Sequence, residues 1–105
     1  MGDTKATRTA RLLRLHNKLV EEVEKLRLGM NRLPYEMAEF LSWDTATYSR
    51  FSRKNRDISD GMLGAIALNF PTLLDLAARY RKCRLVVEAS KPKRVAPEPT
   101  NVTLL

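Results

Sequence analysis

Residues 34–58 read PYEMAEFLSWDTATYSRFSRKNRDI, and the way this stretch folds decides the rest. Met37 and Leu41 stand one helical turn apart and share an inner face. Ala38 lies between them, where only a small side chain lets a second helix cross closely. Ser42 and Trp43 make a turn. Asp44 is placed to cap a second helix by accepting from the backbone N–H of Ala46 or Thr47. Tyr48 and Phe51, at i and i+3, then face inward and leave Thr45, Ala46, Thr47, Ser49 and Arg50 outside. Two short helices joined by a tight turn, with small polar residues and one arginine outermost, form a helix-turn-helix pattern suited to a major groove. The competing reading is an antiparallel helix pair with a solvated outer face, which all-helical proteins also contain.

Working outward, the 105 residues make one domain with a modest core. The net charge is +7 and the isoelectric point about 10.0. Its distribution matters more than its total. Residues 1–18 hold five basic and one acidic residue, and residues 79–94 hold seven basic and one acidic. Residues 19–43 hold three basic and five acidic. Clustered positive charge suits a polyanion, whose phosphate contacts release counterions. An anionic membrane surface fits less well, because the basic segments lack an inserting Trp/Phe/Leu face. No apolar run reaches membrane-span length, and no signal-peptide core is present. The expected location is the cytoplasm. The single cysteine, Cys83, suits a reducing compartment and reads as an ordinary packed thiol.

Before the central stretch, Thr7 or Thr9 caps a first helix running to about Leu28. Leu12, His16, Leu19, Val23 and Leu26 define its face, widened by Leu13, Leu15 and Val20. Gly29 stands where a left-handed residue ends a helix. Such a helix, of about 20 residues and about 30 Å, is longer than a small core can cover. Its first turns are therefore expected to project, meeting a partner or DNA through Arg8, Arg11 and Arg14. His16, the sole histidine, has no companion at ligand spacing and reads as a helix-face residue.

Pro34 suits the first position of the second helix, which leaves Leu33 as its cap. After a polar loop over residues 53–58, Ser59 caps a fourth helix that buries Met62, Leu63, Ile66, Ala67 and Phe70 and stops at Pro71. Thr72 through Asp75 resemble a capping box that opens a fifth helix. That helix, taken with its lead-in as residues 71–88, carries an apolar stripe of Leu73, Leu76, Ala77 and Tyr80, extended to Val87. Arg79, Arg81, Lys82 and Arg84 fall on its outer face. The stripe is either an oligomer interface or the closing layer of the monomer core. Residues 89–105 form a basic, proline-containing tail, disordered or extended, outside a helix-turn-helix domain spanning 1–88. No Gly-rich phosphate loop, paired carboxylates, nucleophile set or metal-ligand cluster is visible. The expectation is no enzyme, no metal and no cofactor.

The helical order resembles the lambda-repressor-like group that includes Cro and CI, an all-α five-helix arrangement. Within that group the chain looks most like the CII transcriptional activators of temperate phages. The likeness rests on MAEFLSWDTATYSRF at residues 37–51, MLGAIALNF at 62–70 and the tail SKPKRVAPEP at 90–99, and spans roughly residues 12–98. Three features depart from that pattern: Ser42 replaces the turn glycine, the loop before Met62 is one residue longer, and the first helix starts earlier. The resemblance implies sequence-specific binding of promoter or operator DNA, assembly as a dimer or tetramer, and contact with RNA polymerase.

On this reading residues 44–53 enter the major groove. The base-reading set is Thr45, Ala46, Thr47, Ser49 and Arg50. Arg50 is suited to a bidentate contact with guanine, and the threonine methyls and Ala46 to thymine methyls. Ser49 is short and reaches phosphate if it touches DNA at all. Arg53, Lys54, Asn55 and Arg56 hold phosphates and set register. Arg50 has an alternative partner in Glu39. The alternatives in function are a Cro/CI-type repressor or antitoxin-like autoregulator on a palindromic site, and a helical adaptor that binds no DNA.

Overall fold

In a computed structural model of the chain, residues 5–55 and 57–89 are described. They form α1 (Lys5–Gly29), α2 (Pro34–Leu41), α3 (Thr45–Ser52), α4 (Asp60–Asn69) and α5 (Leu74–Ala89), with a 3-10 turn at Pro71–Leu73 before α5. The described residues contain no strand, so the fold is all-helical. The predicted tail lies outside the described residues from position 90 onward.

The core gathers one apolar face from each helix. Leu19, Val20 and Val23 come from α1, Met37, Ala38 and Leu41 from α2, Tyr48 and Phe51 from α3, and Met62, Leu63 and Ile66 from α4. Ile58, in the polar loop before α4, is fully buried as well. It has no periodic partner, so its role was not visible in the pattern. Ala67 proves half-buried rather than part of this core.

Three helices end alike. After α1, Arg32 N–H donates to Arg27 O at 3.1 Å and Asn31 N–H to Leu28 O at 3.1 Å. After α2, Trp43 donates to Ala38 O at 2.8 Å and Ser42 to Glu39 O at 3.0 Å. After α3, Asn55 donates to Arg50 O and Lys54 to Phe51 O, both at 2.9 Å. Each is a Schellman motif, closed by a residue in the left-handed conformation. Those residues are Asn31, Ser42 and Lys54, with φ of 55°, 62° and 61°. Gly29 is the last residue of α1 but does not take the left-handed conformation expected of it. Asn31, two residues on, takes the left-handed position, which asparagine tolerates.

The helix starts differ in quality. Leu33 has no side-chain acceptor, but its N–H donates to the Glu36 carboxylate at 2.7 Å. Asp44 Oδ1 accepts from Thr47 N–H at 2.6 Å, and Ser59 Oγ from Met62 N–H at 3.2 Å. The expected capping box at Thr72 is not formed. Thr72 lies within the 3-10 turn, and Asp75 pairs with Arg79 at 2.9 Å. Nor do Thr7 and Thr9 cap α1, since both are inside it.

Two further expectations are corrected and one alternative is decided. The first turns of α1 do not project, because α5 lies along them in the most extensive helix–helix contact of the fold. At 25 residues, α1 would be about 37 Å long, and α5 is the element that covers its excess length. Cys83 Sγ approaches Arg8 O at 3.8 Å across this contact. The α5 stripe is also taken up within the chain. Leu73, Ala77 and Tyr80 belong to the core, and Leu76 packs against it. A five-helix chain this small needs that layer to close its own interior. Arg84 is likewise not on the outer face. It is half-buried and donates to Ile58 O and the Asp60 carboxylate, tying α5 to the start of α4.

A candidate nucleic-acid interface

The α2–α3 pair is built around Ala38, 1% exposed, and Ser42, whose left-handed backbone reverses the chain in one residue. Asp44 then starts α3. Tyr48 and Phe51 are fully buried and hold α3 on the core, and Trp43 packs edge-on against Phe51 with centroids 5.1 Å apart. An edge-to-face arrangement of this kind favours one ring orientation and so fixes the turn.

A second set of contacts anchors α3 to α1. The Tyr48 hydroxyl donates to the Glu24 carboxylate. Glu24 also accepts two hydrogen bonds from Arg27, at 2.8 and 3.0 Å, and Arg27 donates to Arg32 O at 2.7 Å. Burial pushes the Tyr48 phenol well above its ordinary value, and the hydrogen bond to Glu24 adds to this. At Glu24 burial works toward a higher value, but the bonds from Arg27 and Tyr48 outweigh it and hold the carboxyl below the usual range. Sequence reading missed this network, since its ends lie on different helices. The only available sign was a charged pair at i, i+3 in α1, a common surface pattern.

The five predicted base-reading residues all lie on α3. Thr45, Ala46 and Arg50 are exposed, while Thr47 and Ser49 are half-buried. Thr47 gives its backbone N–H to the cap, and Ser49 O accepts from Ser52 Oγ at 3.0 Å. Among the described residues Arg50 makes no ion pair, with Glu39 or any other carboxylate. Of the predicted phosphate set, Arg53, Lys54 and Asn55 are exposed at the end of α3, and Arg56 lies outside the described residues. Lys54 Nζ is 3.0 Å from the Glu21 carboxylate of α1, with both side chains in solvent. Such a pair contributes at most about 1 kcal/mol, so phosphate could displace it.

Beside this surface lies a depression of about 700 Å³, bordered by Arg50, Asn55 and Arg84 and by the carboxylates of Asp57, Asp60 and Glu88. Asp60 is engaged by Arg81 and Arg84. Acidic groups thus flank Arg50 on the α5 side, so that an anion meets the exposed cations best from the side of α3 itself. Among the described residues no three His, Cys, Asp or Glu side chains are grouped to hold a metal ion. No described helix is long and apolar enough to cross a membrane. No protein family, curated protein or solved structure matches the chain.

Proposed function

We propose that this chain is a sequence-specific DNA-binding transcriptional regulator of phage or mobile-element type, reading the major groove through a helix-turn-helix formed by α2 and α3. One observation carries the reading. α3 is held to the core by Tyr48 and Phe51, while Thr45, Ala46 and Arg50 are exposed and Arg50 has no ion-pair partner among the described residues. The +7 charge supports it. In this reading Arg50 contacts guanine, Thr45 and Ala46 contact thymine methyls, and Arg53, Lys54 and Asn55 hold phosphates. The resemblance to CII activators adds promoter binding, RNA polymerase contact and a bacterial cytoplasm as the setting.

One such unit reads too few base pairs to select a genomic site, so two or more copies act together. With the α5 stripe taken up by the core, the self-contact falls to exposed apolar side chains such as Leu68 and Leu74, 81% and 59% exposed. A second reading, a helical adaptor without DNA, is favoured by the carboxylates beside Arg50. Gel retardation with random-sequence duplex at two salt concentrations separates the two. Binding that weakens steeply with salt supports the regulator; no retardation at low salt leaves the adaptor. Selection of bound sites from random DNA then tests specificity. Direct repeats in the selected sites favour an activator of the CII kind, and inverted repeats a Cro/CI-type repressor or autoregulator.

A further inference from the structure

A second cationic surface lies away from α3. Where α1 and α5 run side by side, Arg8, Arg11 and Leu15 of α1 and Arg79, Lys82, Cys83 and Val86 of α5 line a groove of about 420 Å³. Leu15, Cys83 and Val86 supply its apolar lining, and Arg8, Arg11, Arg79 and Lys82 its cationic lining, with the Arg8 Nε out of solvent. At 3.6 residues per turn these positions sit roughly 100° round both helices from Thr9, His16, Tyr80 and Arg84. Those four border the depressions that contain Lys54 and Arg50. A duplex seated on α3 therefore leaves the groove open.

An apolar strip bordered by cations matches a particular ligand shape. Phosphate backbone would satisfy the cations but leave Leu15 and Val86 against solvent. An uncharged apolar helix would cover the strip but desolvate the cations. A helix with leucines on one stripe and Asp or Glu on the flank facing α5 covers the strip and meets Arg79 and Lys82, in the manner of helix-in-groove recognition. The α5 side of the groove is open to such a flank: among the described residues Arg79 pairs only with Asp75, in solvent, and Lys82 is exposed and makes no ion pair. The chain's own segment beyond Ala89 is a poor match, because residues 90–105 carry three basic residues and one acidic one.

We propose that the α1–α5 groove docks an acidic amphipathic helix of a partner protein, independently of the surface on α3. The anisotropy measurement uses the unaltered full chain and a synthetic helical peptide; the alkylation measurement uses the full chain carrying Cys83→Ser and Val86→Cys, whose one thiol stands on the exposed part of the groove wall. The peptide has Leu at i, i+3, i+4 and i+7 and Glu on the flanks. A control peptide of the same composition spreads its leucines round the helix. The expected results are fluorescence anisotropy binding of the first peptide about tenfold tighter than the control, and slower alkylation of the relocated thiol when it is bound. Lys82→Glu with Arg79→Gln should weaken that binding about tenfold at unchanged circular dichroism and unchanged retardation of duplex.

Equal binding of both peptides, or no slowing of alkylation, would overturn the proposal. Loss of duplex retardation in the double variant would make the groove a nucleic-acid surface instead. Alkylation that is already slow without peptide would also overturn it. Rescue of that rate by dilution would assign the groove to a second copy, and rescue by removing residues 90–105 to the chain's own tail.

Discussion

The Tyr48 hydroxyl donates to the Glu24 carboxylate across 24 positions of sequence. It is the polar tie between α3 and the long α1, and through Glu24 it reaches Arg27 and the turn at Arg32. Tyr48→Phe keeps the packed ring and deletes only this tie. A hydrogen bond to a charged group is worth about 1–3 kcal/mol, and the variant should lose stability of that order in urea denaturation. Hydrogen exchange should accelerate most in α3.

The same carboxylate makes stability depend on acid. The folded state holds Glu24 below its usual value of 4.5, so near and below that pH the unfolded chain binds more protons. The contribution is complete above pH 4.5 and declines as pH falls through the lower folded-state value. Glu24→Gln should be less stable at neutral pH and should show a smaller loss on acidification. Denaturant midpoints measured from about pH 6 to about pH 3 compare the two chains, and parallel curves would remove Glu24 from the acid response.

Left-handed residues without glycine leave room for improvement. Ser42→Gly and Lys54→Gly should each stabilise the chain by about 0.5–1 kcal/mol, because Gly adopts positive φ without the Cβ clash. Asn31→Gly should gain less, since asparagine already tolerates that conformation. Ser42→Val should be destabilising. Thermal melts of the four variants give the order directly.

Ala38 measures how tightly α2 and α3 cross. At 1% exposure it leaves no room for a larger side chain. Ala38→Leu should cost about 1–3 kcal/mol by overpacking. On the regulator reading it should also weaken DNA binding, by displacing α3 from Ser42 and Asp44. A Leu variant of native stability would mean that the crossing is loose.

On the regulator reading the exposed cations should separate by role. Arg50→Ala should leave stability within about 0.5 kcal/mol and relax selectivity at one base position by about 1–3 kcal/mol. Lys54→Gln should weaken binding to all sequences alike and flatten the salt dependence by about one unit. Glu21→Gln removes the competing carboxylate 3.0 Å from Lys54 and should strengthen binding to all sequences. Binding isotherms on a selected site and on random duplex make the comparison; a uniform loss in Arg50→Ala would deny it a base-reading role.

The central stretch was readable in advance because its signals are local. Asp44 and Ser59 cap within three residues of themselves, Pro34 and Pro71 act on their own backbone, and Met37, Leu41, Tyr48 and Phe51 follow helical spacing. The helix ends were less readable. Glycine is the usual left-handed residue, yet Asn31, Ser42 and Lys54 take that position here, each closing a pair of backbone hydrogen bonds to the end of its helix. Ile58 was overlooked for a related reason: a single apolar residue in a polar loop becomes core only when α4 and α5 close over it.

By itself, then, the sequence determined the number and order of helices, the turn at Ser42 and the outward placing of Thr45, Ala46 and Arg50 on α3, though not the half-burial of Thr47 and Ser49; what it determined depends on contacts within about one helical turn. Tertiary structure alone decided what the long α1 lies against, that Leu73, Leu76, Ala77 and Tyr80 serve the interior, and that Glu24 restrains α3. It also brought the four cations of the α1–α5 groove together. These outcomes depend on which faces meet, and faces meet according to the summed burial of the whole chain, which no local pattern encodes.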